Sequence, residues 1–428
     1  VFGHSQGQCT YNVRHYCKST PPHQRHTMDD LLHYREEFPI LSTCTYLMSN
    51  SLGAMPRGVY DALKTYADTW ATLGVRAWGE RYADQPTWWE LKGAVGDLIA
   101  PLMGAPRGSV LMHENASIAN SILLSALDWS DPHRDKVVVT DQDFPSDTYT
   151  LRAMLPSHVR VHVVKSRDGV TIDSDDLLNA IDERTRLVSC SHVLFRSAYI
   201  MPAEAITQKA HAVGAQVLLN GYHSVGIISV DVSAWNVDYY IGGTLKWLCG
   251  GSGGVFMYVR PDLLPTLQPK ISGWFAHRAP FAFADELTLR DDAYRLANGT
   301  PAIAALYAVQ DGVKLIAQVG IDAIRAKSVR QTSTLIRMAE AAGYTLKSPR
   351  EDALRGGTVT LAPPHAYEIS RELLARKVVI DYREGAGIRI APHFYNSDEE
   401  VTLVMQAIAD ILQDGTWQKH VGGRSFVT

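Results

Sequence analysis

The residue pattern predicts an α/β fold with a largely parallel sheet, followed by a smaller α+β domain. Two observations predict it. In the middle of the chain, short β-branched runs alternate with helical segments, the signature of right-handed crossovers and a sheet covered on both faces. In the last third, a long helical stretch gives way to short strands, which marks a change of architecture.

The elements follow in order. Residues 1–27 carry His4, His15, His23, His26, Cys9 and Cys17 with little apolar periodicity. They read as a poorly structured extension upstream of Met28, since the spacings match no common metal site. No metal is expected. The large domain is expected over 28–300, with 28–60 able to pack on either domain. Its strands are Val137–Thr140, Val159–Val164, Leu187–Cys190, Val217–Asn220, Tyr239–Ile241 and Val255–Val259, with helices at Asp175–Ile181 and Ala203–Val213. The small domain is expected over 301–428. It opens with a helical stretch from Pro301 to Ala342 and continues with strands at Gly357–Leu361, Val378–Tyr382 and Ile388–Pro392. Ser397-Asp398-Glu399-Glu400 forms a capping box that starts the final helix.

Composition narrows the partners. The chain has 428 residues, 46% of them hydrophobic, and a net charge of −4 from 41 basic and 45 acidic residues. That balance offers no electrostatic footprint for nucleic acid or an acidic membrane surface, so a small molecule is the expected partner. The five cysteines show no C-x-x-C pair and leave one over, which points to reduced thiols and a cytoplasmic location. No run of about 18 apolar residues suggests a membrane span.

Chemistry concentrates in Thr244-Leu245-Lys246-Trp247-Leu248-Cys249 and the small residues Gly250-Gly251-Ser252-Gly253-Gly254. A lysine flanked by Leu245, Trp247 and Leu248 is partly desolvated, which lowers its pKa and makes the amine nucleophilic. A snorkelling lysine at a strand end is the alternative. Polar residues at the carboxyl ends of parallel strands are the natural ligand contacts.

With these elements in view, the chain resembles the class V group of fold-type I pyridoxal-phosphate (PLP) enzymes, in the kynureninase and isopenicillin-N-epimerase-like branch. The resemblance covers about Tyr46 to Asp410. It rests on Asn50-Ser51-Leu52-Gly53, Phe144-Pro145-Ser146-Asp147, Asn220-Gly221-Tyr222-His223-Ser224-Val225-Gly226, the Lys246 segment with Arg260-Pro261-Asp262, Gly273-Trp274-Phe275, Gly299-Thr300-Pro301 and Gly387-Ile388-Arg389-Ile390-Ala391-Pro392, in family order.

The resemblance implies pyridoxal 5'-phosphate as cofactor, with Lys246 as the Schiff-base lysine and later a proton carrier. It implies that Phe144 stacks on the cofactor ring, and that Ser117 and the backbone of Ile118 hold the phosphate at a helix N-terminus. His223 and Thr244 are implied as further phosphate contacts. Asp147 and Trp274 match cofactor-pocket positions. Thr300 resembles a turn that crosses from a neighbouring subunit, so a homodimer with shared active sites is implied. Arg389, alone on one face of its strand between Ile388 and Ile390, is the expected clamp for a substrate carboxylate, and Asn50 and Ser51 approach the same group.

Three departures shape the reaction. The family usually has an aspartate where this chain has Asn220, and a neutral amide cannot balance a pyridinium charge. Reduced turnover, a chemistry needing less stabilisation, and a catalytically silent homologue all remain open. Leu245 stands where kynureninases carry a tyrosine. The segment 73–78 lacks the histidine of animal-type kynureninases, while Trp70, Trp78, Tyr82, Trp88 and Trp89 crowd that region as core or pocket. The expectation is a lyase acting on an S-substituted cysteine-like amino acid by β-elimination or by decarboxylation-coupled oxidative deamination. Kynureninase-type hydrolysis and transamination are the alternatives, and a non-catalytic PLP binder is the alternative of another class.

Overall fold

Apolar residues alternate between two cores in the central sheet of the computed structural model, which describes residues 28–423. The histidines and cysteines singled out in 1–27 lie outside the described residues. After strand β1 (Thr45–Tyr46) and helices α1 (Val59–Leu73) and α2 (Leu91–Ile99), the chain enters the sheet at β2 (Val110–His113) and continues into α3 (Ala116–Ala126). Then follow β3 (Lys136–Thr140), α4 (Pro145–Met154), β4 (Arg160–Val164), α5 (Ser174–Asn179), β5 (Thr185–Ser191), α6 (Ala203–Ala212), β6 (Gln216–Asn220), β7 (Tyr239–Gly243) and β8 (Val255–Val259). Every strand read from the sequence in the large domain is present to within two residues at each end.

The sheet order is β2-β8-β7-β6-β5-β3-β4. Strands β7, β6, β5, β3 and β4 run parallel, and β8 opposes both of its neighbours. The carboxyl ends of β2, β3, β5, β6 and β7 therefore share one edge. Side chains alternate faces along a strand, so Val138, Val188, Val217, Leu219, Tyr240 and Phe256 enter one core. Val137, Leu187, Leu218, Tyr239, Ile241 and Val255 enter the other. Burial on both faces is why these strands read as continuous apolar runs.

The helical stretch 301–342 is two helices, α7 (Ile303–Val319) and α8 (Ile321–Ala341), broken at Gly320 with φ +87°, a conformation that favours glycine. Helix α7 places Leu306, Tyr307, Val309 and Val313 in the large core, and α8 runs from Ile324 in that core to Leu335, Ile336 and Ala339 in the C-terminal one. The two cores thus meet along α8, beyond the boundary expected at 300, because the apolar face of α7 matches the large domain.

The C-terminal domain adds β9 (Thr345–Leu346), β10 (Val359–Ala362), α9 (Ala366–Ala375), β11 (Val378–Val379), β12 (Asp381–Arg383), β13 (Gly387–Ile390) and α10 (Asp398–Asp414). An antiparallel sheet forms in the order β12-β13-β10-β9. The run Val378–Tyr382 is divided: β11 pairs in parallel with β1, whereas β12 pairs with β13. Segment 28–60 touches both domains. Phe38, Leu41 and Ala54 lie in the large core, while Leu47 lies in the C-terminal core and Arg35 is ion-paired with Glu400. Helix α10 opens with the expected capping box of Ser397 and Glu400.

Candidate active site

The carboxyl edge of the large sheet and strands β12 and β13 enclose a cavity of about 360 Å³. Lys246, just past β7, reaches into it. Burial, then repulsion from Arg389 and Arg383, lowers its pKa to about 7, against a weaker pull from Asp147. The apolar flanks thus direct the amine into the cavity rather than into open solvent, and its pKa moves in the expected direction. Its Nζ lies 2.7 Å from His223 Nε2, 5.3 Å from the Tyr222 ring centroid and 6.0 Å from that of Phe144. Burial, reinforced by Lys246, drives the His223 pKa well below its ordinary value, so the imidazole is neutral.

The loop that carries Lys246 is fixed from both sides. Gly53 N–H donates to Leu245 O at 2.7 Å, and a Cβ on Gly53 would stand 2.1 Å from Lys246 O, so only glycine allows this approach. The same docking brings Asn50 to the cavity wall, fully buried, with neither amide atom partnered. An unpaired buried amide is costly unless something binds it. Ser51 lines the cavity beside it.

Asp147, in the first turn of α4, meets Asn220 at the end of β6. Asn220 Nδ2 donates to Asp147 Oδ2 at 2.7 Å, and Asn120 Nδ2 donates to Oδ1 at 3.1 Å. Burial, with repulsion from Asp143, raises the Asp147 pKa to about 7 despite the two amides. Asp143 anchors the turn, accepting from Thr140 N–H, Thr140 Oγ1 and Ser191 N–H at 2.8, 2.9 and 2.6 Å.

Arg389 is buried on β13, with Ile388 and Ile390 in the C-terminal core, so it does stand alone on its face. It is not alone in its interactions. Asp381, its register partner on β12, is fully buried and forms an ion pair with Arg389 Nη2. Arg389 Nη1 donates to Phe195 O at 2.6 Å, and Nε has no partner. Arg383 Nη1 lies 2.9 Å from the other oxygen of Asp381, and its side chain also lines the cavity.

Of the residues expected at the site, Asn50, Ser51, Ser117, Phe144, Asp147, Asn220, His223, Lys246 and Arg389 line one cavity. Four do not. Ile118 N–H, expected to hold phosphate, instead donates to the N-cap oxygen of Asn115 at 3.0 Å. Thr244 is buried, and its hydroxyl donates to Gly254 O at 2.9 Å, securing the glycine loop. Trp274 belongs to a surface cluster with Trp89 and Phe281. Thr300 is exposed on this chain. Trp88 is core and Trp70 exposed, and neither reaches the cavity. Arg383, Phe195, Tyr222 and Ser191 also line the cavity, and Asn120 joins the site through Asp147. Tyr222 and Arg383 sit within motifs already quoted or beside them, whereas nothing local marks Asn120 or Phe195.

The sequence model described as "Aminotransferase class-V" matches residues 45–403. The chain belongs to the class V aminotransferase family. It is 30% identical over 414 residues to a kynureninase of Geobacillus thermodenitrificans, covering 93% of this chain and 95% of the relative. To a kynureninase of Burkholderia pseudomallei it is 31% identical over 401 residues, covering 91% and 94%. Among solved structures, the cystine C-S lyase C-DES, in complex with its reaction product cysteine persulfide, superposes with a TM-score of 0.78 at 20% identity, covering 87% of this chain and 99% of that one. The apo cysteine desulfurase of Thermococcus onnurineus gives 0.79 at 18% identity, covering 89% and 98%. The fold is therefore fold-type I, and the cofactor of this class V enzyme is pyridoxal 5'-phosphate. The residues fit it: a desolvated amine, an aromatic face at Phe144, a helix start at Ala116 and Ser117, and a carboxylate at Asp147 converge on one cavity.

Proposed function

We propose that this enzyme cleaves the bond from the β-carbon to a sulfur leaving group in an S-substituted cysteine-like amino acid. The observation that carries the reading is one cavity joining a desolvated amine of lowered pKa, Lys246, to a buried guanidinium, Arg389, with Leu245 on the wall beside the lysine. When bound, pyridoxal phosphate supplies an electron sink for charge developing at the substrate's α-carbon. Lys246 Nζ would hold the cofactor and would serve as the base for the substrate's α-proton. His223 Nε2, 2.7 Å away, orients that amine. Arg389, on the cavity wall, supplies the positive charge for the substrate carboxylate, and Asn50 offers its unpaired amide to the same region. Leucine at 245 provides no hydroxyl for a carbonyl intermediate, and a thiolate leaving group needs none.

Decarboxylation-coupled oxidative deamination of the same substrate class would use the same residues but would also need a two-electron acceptor such as dioxygen, and it differs in products. Kynureninase-type hydrolysis is the second reading, favoured by the 30–31% identity to proteins named kynureninase. A shared site completed by Thr300 from a second copy belongs to the proposal too. The test combines borohydride fixation with product analysis. A pyridoxyl adduct on Lys246, lost in Lys246→Ala, and pyruvate with ammonia from cysteine S-conjugates are expected. Release of alanine from kynurenine selects the second reading, an aldehyde product the oxidative branch, and a bound cofactor unresponsive to every amino acid a silent homologue.

A further inference from the structure

A neutral amide at position 220 raises the question of where the cofactor's ring nitrogen finds its counter-charge. The hydrogen bonds of Asn220 fix its orientation. Its Oδ1 accepts from Tyr222 N–H at 3.0 Å, which leaves Nδ2 to donate to Asp147 Oδ2 at 2.7 Å. Asn120 caps the second oxygen at 3.1 Å. Among the described residues, Asp147 has no arginine, lysine or histidine in ion-pair contact, yet it lines the cavity that holds Lys246. A carboxylate that is walled in, held by two amides and left without a cation in contact is costly to keep charged unless the bound group supplies the positive charge.

We infer that Asp147 and Asn220 act as one unit carrying a single negative charge, located on Asp147, which is the counter-ion for the ring nitrogen of pyridoxal phosphate. The inference rests on the proposed cofactor placement and deepens it. Two carboxylates with oxygens about 2.7 Å apart cannot both ionise, and such a pair shares one proton and one charge. An aspartate–asparagine pair has that same charge, with the amide N–H standing where the shared proton would be. The amide at 220 therefore leaves the charge of the site intact and need not signal lost activity. Asn120 and Asn220 are positioning residues that aim Asp147.

The test compares the affinity of apo-protein for pyridoxal phosphate in the wild type, Asp147→Asn, Asn220→Asp and the exchanged double variant Asp147→Asn/Asn220→Asp. Circular dichroism confirms that each is folded. Asp147→Asn is expected to weaken binding about tenfold or more, and the exchange, which returns one carboxylate to the pair, to recover most of that loss. An exchanged variant as weak as Asp147→Asn overturns the inference, as does an Asn220→Asp chain that binds about tenfold more tightly than wild type, since a charge would then have been missing. A wild-type chain with no borohydride-fixed adduct at Lys246 overturns the functional reading along with it. An adduct at Lys246 combined with a failed exchange overturns the inference alone.

Discussion

Two carboxylates flank the same cavity and solve burial in opposite ways. Asp381, on the C-terminal domain, lies between two guanidiniums, Arg389 and Arg383. Asp147, on the large domain, is held by amides alone, and burial raises its pKa to about 7. The first arrangement fixes a charge in place so that Arg389 keeps one geometry. The second leaves a group that can take or lose a proton at neutral pH, beside an amine that can do the same. The structure thus separates a rigid clamp from a titratable floor.

Breaking the clamp should have the largest effect. Asp381→Asn leaves Arg389, 2% exposed, without its buried counter-charge, and loss of one partner of such a pair costs about 3–5 kcal/mol. Urea unfolding should show that loss with little dependence on pH between 5 and 9. A chain destabilised by less than about 1 kcal/mol would mean that the ion pair is solvated and the clamp loose.

The floor should behave differently. The folded chain binds the Asp147 proton more tightly than the unfolded chain, whose aspartates titrate near 4, so stability of the apo-protein falls as pH rises from about 4 to 7. Lys246 works in the other direction. Its folded pKa of about 7 lies below the unfolded value, so stability rises as pH climbs from about 7 to 10. Each limb is worth on the order of 2–4 kcal/mol after allowance for water in the cavity. Apo-protein melts should therefore show a minimum near neutral pH. Asp147→Asn should remove the acid limb only, and Lys246→Met the alkaline limb only. Melts that are flat from pH 5 to 9 would show that neither group is desolvated.

A smaller effect concerns reactivity. The rate at which apo-protein captures pyridoxal phosphate should rise through pH 7 and level off above it, because the amine is then fully neutral. Removing the negative charge by Asp147→Asn should move that midpoint lower, since Asp147 is the attraction that opposes burial of the ammonium. A midpoint that stays near 10 would return Lys246 to an ordinary solvated side chain.

The two regions also differ in how far they were legible beforehand. Lys246 could be found because apolar neighbours and a glycine loop mark a desolvated lysine in one continuous segment. Strand β13 showed Arg389 alone between two isoleucines, and that face assignment holds. Its partner did not show, because Asp381 meets it only through antiparallel register and because the run Val378–Tyr382 looks like one strand until β1 captures its first half. On the floor, Asp147 lies in the first turn of α4, which follows β3, and Asn220 ends β6, and the two strands are separated in the sheet by β5. No local pattern reports that contact. Motif resemblance placed both in the pocket, but the hydrogen bond that makes them a pair is a tertiary fact. Thr244 differs for a related reason: its hydroxyl donates to Gly254 O, and a residue's own loop competes for its donor.

A control away from both carboxylates sharpens the contrast further. Ser397 caps α10, accepting from Glu400 N–H while the Glu400 carboxylate accepts from Ser397 N–H. Ser397→Ala removes one of these bonds and should cost about 1 kcal/mol. The Glu400 carboxylate stays in place through Arg35 and Asn396, so no buried charge is stranded. Urea unfolding should then show a uniform offset at every pH, with the neutral minimum retained and the capture midpoint unmoved. Were this variant to reshape the pH profile as Asp147→Asn does, the minimum would belong to the C-terminal domain as a whole, and the assignment of its two limbs to Asp147 and Lys246 would fail.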